Sequence, residues 1–242
     1  MQVYGHRGAA GEAPENTIAG ARHAITRGVR QVEIDLRLSA DKQLVIVHDN
    51  TALRTAGVKR QITRMTAKQL SQLDARAFGT PWPRKAGCGI PTLKQFMRRC
   101  PEIRHYQLEV KSDETTDKPV LIKKLGEQFP NRAATKNIVV TSFDYAFLEQ
   151  LNQQLPHIPI GAISYKRPAF KVARDLGCDY FCIHESIATP AFVEKIQRSN
   201  MHLSIWTVNN PVTIKRFYKM GVDSVITDYP SMAIPLVKSL MR

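Results

Sequence analysis

A set of side chains with the types and spacing that chemistry needs falls at the ends of short apolar runs. His6 and Arg7 follow the run 2–5, and His48 and Asp49 follow 44–47. Glu33 and Asp35 stand two apart, as do Glu109 and Lys111. Ser142, His184, Trp206 and Asp228 close later runs. Imidazole suits proton transfer near neutral pH, so His6 and His48 are candidates for a general acid and base, one deprotonating a nucleophile and the other protonating a leaving oxygen. Residues two apart on a strand face the same way, so each charged pair shares a face. A buried carboxylate must be paired, protonated or metal-bound. Glu33, Asp35 and Glu109 together would make a hard oxygen site for one divalent ion, Mg²⁺ or Ca²⁺. The competing reading is an internal salt-bridge network with Arg7 and Lys111.

The other histidines read differently. His23 lies in a helical pattern, His105 and His202 at strand starts, and His157 in a loop, all positions of structural or solvated imidazoles. His184 ends a run without a charged partner and is also read as structural. The segment Pro14-Glu15-Asn16-Thr17 precedes an amphipathic stretch. Asn16 or Thr17 can cap that helix, and Glu15 and Asn16 would then lie near the His6 loop. A helix N-terminus is also a ready anion site.

These residues need a scaffold that gathers strand ends. Strands are expected at 2–5, 31–36, 44–47, 106–110, 138–141, 158–163, 180–183, 203–206 and 224–226. Helices are expected at 17–27, 93–99, 120–129, 145–154, 170–176, 190–199, 211–220 and 232–240, with a short one at 66–73. Pro190 and Pro211 suit a first helical turn, and Gly28, Gly177 and Gly221 suit left-handed caps. Strand–helix repetition means crossovers and a parallel sheet. About eight such units in 242 residues fit a closed α/β fold, the TIM (β/α)8 barrel, better than an open sheet, and the catalytic groups of such a barrel sit at the C-terminal ends of the strands. Val32, Ile34, Leu36, Leu108 and Val110 would then face the helices. The run 44–47 reads as a hairpin partner of 31–36, turning at Asp41-Lys42. The chain 1–242 reads as one domain without repeats or linkers. Residues 50–90 form an insertion-like connection after the second strand region, with no clear strand.

In combination, these residues resemble the glycerophosphodiester phosphodiesterase family, bacterial cytosolic type. The matching motifs are His6-Arg7-Gly8, Pro14-Glu15-Asn16-Thr17, Glu33-x-Asp35, His48-Asp49, Ile90-Pro91-Thr92-Leu93, Glu109-x-Lys111, Ser142-Phe143, Trp206-Thr207-Val208-Asn209 and Thr227-Asp228-x-Pro230. They keep the family's order over nearly the whole chain. The resemblance implies a TIM barrel, a divalent metal on Glu33, Asp35 and Glu109, and His6 and His48 as the acid/base pair. It implies that Arg7 and Lys111 contact the substrate phosphate, that Glu15 supports the site, and that Trp206 forms an apolar wall at the mouth. For Trp206 an ordinary aromatic rim residue is the alternative. The implied reaction is hydrolysis of a small-molecule glycerophosphodiester, such as glycerophosphocholine or glycerophosphoethanolamine, to sn-glycerol 3-phosphate and an alcohol.

Composition sets the outer limits. Hydrophobic content of 43% and charged content of 23% exclude a disordered chain, a collagen-like repeat and a disulfide miniprotein. The net charge is +14. Residues 54–104 carry twelve basic side chains against two acidic ones and hold most of that excess. Such a face can attract anions or simply aid solubility. No signal peptide and no apolar run of about 18 residues is read, so neither secretion nor stable membrane insertion is expected. Cys88, Cys100, Cys178 and Cys182 contain no CxxC pair, which suits buried thiols in a reducing cytoplasm. Two alternatives stand beside the main reading: lysophospholipase D activity in the same site, and a non-enzymatic basic barrel binding anionic membrane or nucleic acid. The second lacks basic-aromatic interleaving and a recognition helix, so no nucleic-acid partner is expected.

Overall fold

The computed structural model describes residues 1–76, 82–83, 87–114 and 116–241. Its strands are β1 (Gln2–His6), β2 (Gln31–Leu38), β3 (Leu44–Ile46), β4 (Thr51–Ala52), β5 (Val58–Gln61), β6 (His105–Val110), β7 (Ile138–Ser142), β8 (Ile160–Ser164), β9 (Tyr180–His184), β10 (His202–Trp206) and β11 (Ser224–Thr227). Strands β1, β2 and β6 to β11 pair in parallel, in that order, and β11 returns to β1. The ring therefore closes into the expected TIM barrel without a free edge. The hairpin with β3 forms as read, pairing Leu36 with Ile46 and Leu38 with Leu44, and Lys42 takes a left-handed φ of 57° at its turn.

Local chemistry sets the element ends. Thr17, not Asn16, caps the helix Ile18–Thr26, its hydroxyl accepting from Gly20 N. Thr66 and Thr92 build capping boxes with Gln69 and Gln95. Pro190 and Pro211 open their helices, and Gly28, Gly177 and Gly221 adopt positive φ as expected. The last helix starts at Pro230, two residues before the expected 232, because proline suits a first turn. Strand β8 starts at Ile160 rather than 158, since Pro159 has no N–H to give the ladder.

The expectation that 50–90 holds no strand is corrected. Strands β4 and β5 pair antiparallel across a turn whose Gly57 has φ 71°. They were too short and too polar to show a period-two pattern. Val45, Val47, Ala52, Ile62, Met65, Leu70, Ala75 and Ile90 form a small second core that ties this segment to β3. Residues 77–81 and 84–86, including Arg84 and Lys85 of the basic excess, lie outside the described residues.

Outward-facing residues of the strands, including Val32, Ile34, Leu36, Leu108 and Val110, join the large core under the helices. The inward-facing ones are unusually polar. At the N-terminal end, His105 stacks on Tyr180 and Tyr180 on His202, with centroids 5.9 and 4.2 Å apart. Tyr4 Oη lies 2.9 Å from His105 Nδ1, and His202 Nε2 lies 2.9 Å from Ser224 Oγ. Ser224 donates to Ser204, Gln107 donates to Ser204, and Cys182 reaches Gln107. This ladder fills the barrel axis and forms a floor beneath the mouth.

Candidate active site

The mouth is built from strand ends inward. After β1 the chain turns sharply, with Arg7 at φ 49° and Gly8 at φ 90°. A Cβ at Gly8 would meet backbone atoms of Gly20 and Ala21 at 3.2 Å, so the helix Ile18–Thr26 can pack this close only against glycine. Asn16 is also left-handed, at φ 55°, and its N–H donates to Arg7 O at 2.9 Å. Released from capping, its side chain donates to Asp35 Oδ2 at 2.7 Å. Two non-glycine residues held left-handed at one site are strain that the surrounding bonds hold in place.

Glu33, Asp35 and Glu109 are buried, and each offers an oxygen within 4.8 Å of the others'. Arg7 Nε is 3.2 Å from Asp35 Oδ2, and Lys111 Nζ is 3.1 Å from Asp35 Oδ1 and in close contact with Glu109 Oε1. The internal salt-bridge reading is therefore partly realised. It gives Asp35 Oδ1 an ion pair with Lys111 but no hydrogen bond, and leaves Glu33 Oε1 buried with neither. Burial and the Asp35 charge push Glu33 upward, and the same two causes raise Glu109. Burial also opposes the Asp35 charge, but Lys111 and Arg7 outweigh it and hold that carboxyl low. Three carboxylates against two cations leave an uncompensated negative site with a bare oxygen, which fits a hard divalent ion.

Both candidate histidines are pinned through Nδ1. His6 Nδ1 lies 2.6 Å from Asp228 Oδ1, which leaves Nε2 facing Glu33 Oε2 at 3.7 Å. Asn209 holds Asp228 in turn, donating at 2.6 Å. His48 Nδ1 lies 2.7 Å from Asp49 Oδ1. A carboxylate on Nδ1 fixes tautomer and ring orientation and leaves Nε2 for the reaction. Burial opposes a charge on His6, but Asp228 and Glu33 raise it overall. Burial lowers His48, and Arg7 and Lys111 act in the same direction.

Glu15 does not face the carboxylate cluster directly. It accepts from Arg7 Nη1 at 3.0 Å and from both terminal nitrogens of Arg54 at 2.6 and 2.7 Å. A cleft of about 600 Å³ opens beside His48, lined by Arg37, Asp49, Leu53, Arg54 and Lys111. Across the barrel axis Trp206 shares a small cavity with His6, Glu33 and Glu109. Its ring packs against Tyr165, Phe143 and His184 at centroid distances of 4.8, 5.7 and 5.1 Å. Phe143 and Tyr165 are exposed.

Every site residue expected from the sequence thus falls in this mouth, His48 and Glu15 through the Asp49–Arg54 contact. Asn16 lies beside the His6 loop as expected, whereas the contacts of Asp49, Asp228, Arg54 and Tyr165 are not anticipated. Adjacency flagged Asp49, and Asp228 ends a strand, but nothing in sequence pairs it with a residue 222 positions away.

Comparison with known proteins agrees with this fold. The sequence model of the glycerophosphoryl diester phosphodiesterase family matches residues 6–232. A glycerophosphodiester phosphodiesterase of Caldanaerobacter subterraneus is 29% identical over 240 residues, covering 98% of this chain and 97% of that protein. A mouse lysophospholipase D is 26% identical, with 93% and 82% covered. The solved structure of an Oleispira antarctica phosphodiesterase, in complex with the product sn-glycerol-3-phosphate, is 26% identical with a TM-score of 0.83, covering 98% of this chain and 97% of that one.

Proposed function

Since the chain belongs to the glycerophosphoryl diester phosphodiesterase family, we propose that it hydrolyses glycerophosphodiesters to sn-glycerol 3-phosphate and an alcohol in this mouth, with a divalent ion on Glu33, Asp35 and Glu109 and with His6 and His48 as the acid/base pair. The observation that carries the reading is the pair of imidazoles, each fixed by its own carboxylate, beside a three-carboxylate cluster with a bare oxygen on Glu33.

Bound there, Mg²⁺ or Ca²⁺ would supply Lewis-acid polarisation of the phosphoryl group and orient the glycerol hydroxyls. Arg7 and Lys111 stabilise charge that builds on the equatorial phosphate oxygens, and Glu15 holds Arg7 in place for this. One histidine takes a proton from the nucleophile, either water or the substrate's own 2-hydroxyl, and the other gives one to the leaving oxygen. Neutralising that oxygen matters, because choline and ethanolamine are poor leaving groups. The Phe143–Tyr165–Trp206 patch supports a cationic head group, since aromatic faces attract ammonium ions. The four buried cysteines support work in a reducing compartment such as the cytoplasm. Among the described residues no helix is long and apolar enough to cross a membrane.

The test is a product assay. Glycerophosphocholine or glycerophosphoethanolamine with Mg²⁺ or Ca²⁺ should yield glycerol 3-phosphate, and chelator should stop it. An untouched panel of glycerophosphodiesters in the metal-loaded protein overturns the assignment. The exposed aromatic patch also keeps lysophospholipase D activity in view, since a rim of rings can take an acyl chain. Lysophosphatidylcholine assayed beside glycerophosphocholine separates the two.

A further inference from the structure

We propose that Arg54, in the turn between β4 and β5, is a positioning residue that ties the His48 arm of the site to the Arg7 arm. Its Nη1 and Nη2 donate to the two oxygens of Glu15 at 2.6 and 2.7 Å, and its Nε donates to Asp49 Oδ2 at 2.7 Å. Glu15 accepts in turn from Arg7, and Asp49 is bonded to His48 Nδ1 at 2.7 Å. One guanidinium thus closes an unbroken path from His48 through Asp49, Arg54, Glu15 and Arg7 to Asp35. The three anchored segments come from different places: the loop after β1, the turn after β3, and the β4–β5 hairpin. Only a planar fork with donors on two edges can grip both carboxylates at once; a lysine ammonium cannot.

The consequence for His48 follows from its surroundings. Asp35 and Asp49 face it as anions, and Arg7 and Lys111 as cations. Arg37 Nε donates to its backbone carbonyl at 2.9 Å. Arg54 sits behind Asp49 and shares that carboxylate. Asp49 can therefore orient the imidazole without holding it as a permanent imidazolium. Without Arg54 the full Asp49 charge falls on His48, and the imidazole binds its proton more tightly. Arg54 also lines the cleft beside His48, so a direct contact with substrate is the competing role.

The inference rests on the proposed acid/base role of His48, and the experiment reads the imidazole directly so that the two can fail separately. In ¹⁵N-histidine-labelled protein, the His48 titration midpoint should rise by about half a pH unit or more in Arg54→Met. In the same variant kcat should fall about 10- to 100-fold with KM little changed, as expected when a reacting group is misplaced. Arg54→Lys should recover part of each effect, and it carries the test should Arg54→Met not fold. Adding Arg54→Met to Asp49→Asn should move the midpoint no further, because the path is already cut. An unmoved midpoint with unchanged kcat overturns the proposal. An unmoved midpoint with the loss confined to KM also overturns it and makes Arg54 a substrate contact. A protein inactive on every glycerophosphodiester sinks the hydrolase reading, while the midpoint shift still decides the role of Arg54.

Discussion

The two ends of this barrel use the same side-chain types for opposite purposes. At the mouth, His6 and His48 each bond a carboxylate, Asp228 and Asp49, and lie among Glu33, Asp35, Glu109, Arg7 and Lys111. At the floor, His105 bonds the Tyr4 hydroxyl, His202 bonds the Ser224 hydroxyl, and both stack on Tyr180. Burial disfavours the charged ring at both ends, and at the mouth the bonded carboxylate opposes it. Asp228 and Glu33 raise His6 overall, and Asp49 works against the fall of His48, whereas His105 has no such carboxylate. Burial, with His202 adding to it, pushes His105 down to about 4.

The sharpest way to break the contrast is to delete imidazoles at both ends. His6→Ala and His48→Ala should each lose kcat by at least about 10²-fold, the usual worth of a positioned acid or base. His105→Phe should keep kcat within a factor of about three, because it removes a packing and hydrogen-bonding group of the floor and none at the mouth. A near-wild-type rate in either mouth variant takes that residue out of the chemistry. A collapse of kcat in His105→Phe, with the fold intact by circular dichroism, would mean that the floor is part of the site.

The carboxylates give the next largest effect. Ca²⁺ at about a hundred times its Kd should stabilise the native chain by about 2.7 kcal/mol, a rise in Tm of roughly 5–10 °C for a chain of this size. Glu33→Gln should abolish that rise, since Glu33 carries the bare oxygen. An equal rise in the variant, followed by calorimetry, would put the ion elsewhere.

The floor should show itself in pH dependence. The folded pKa of His105 lies below its unfolded value of about 6.5, so the unfolded chain takes up the proton first. Its contribution is fully present above about pH 6.5 and is lost as pH falls toward 4. Between pH 7 and 5.5 the loss from this one group is about 1 kcal/mol. Denaturant unfolding at these two values should show a smaller drop in His105→Phe than in the wild type. Equal drops would mean that His105 is not held neutral by the fold.

How much of this could be read beforehand depended on whether the signal was local. The barrel was legible because alternation and proline or glycine punctuation are local features, and Leu93–Arg99 and Tyr145–Gln154 run as expected. Glu33, Asp35, Glu109 and Lys111 were legible because strand periodicity fixes their direction. The Asp228 partner of His6 comes only from closure of β11 on β1, and the Arg54 clamp only from the β4–β5 hairpin folding back on the loop after β1. The polar axis from Ser224 to Gln107 was hidden for a similar reason. Serine, glutamine and histidine spaced along separate strands look like ordinary strand residues until eight strands face one another.

The smallest effect concerns the charge. Of the basic excess in 54–104, the structure assigns different surroundings to different residues. Arg54 is bound into the site, Arg76 pairs with Asp74, and Arg98 and Arg99 lie in the last turn of their helix, where cations suit the dipole. Lys59 and Arg60 are exposed on β5, the strand that follows the Arg54 turn, and remain the best candidates to draw an anionic phosphodiester toward the mouth. Exposed charges act only over about a Debye length, near 8 Å at physiological salt, so their help should be a few-fold at most. It should appear in kcat/KM, which includes the encounter, and not in kcat. The double reversal Lys59→Glu and Arg60→Glu should flatten the fall of kcat/KM with ionic strength and leave kcat alone. An unchanged salt slope would leave those two side chains with solubility as their only work and would confine the electrostatics of capture to Arg7, Lys111 and the cleft beside His48.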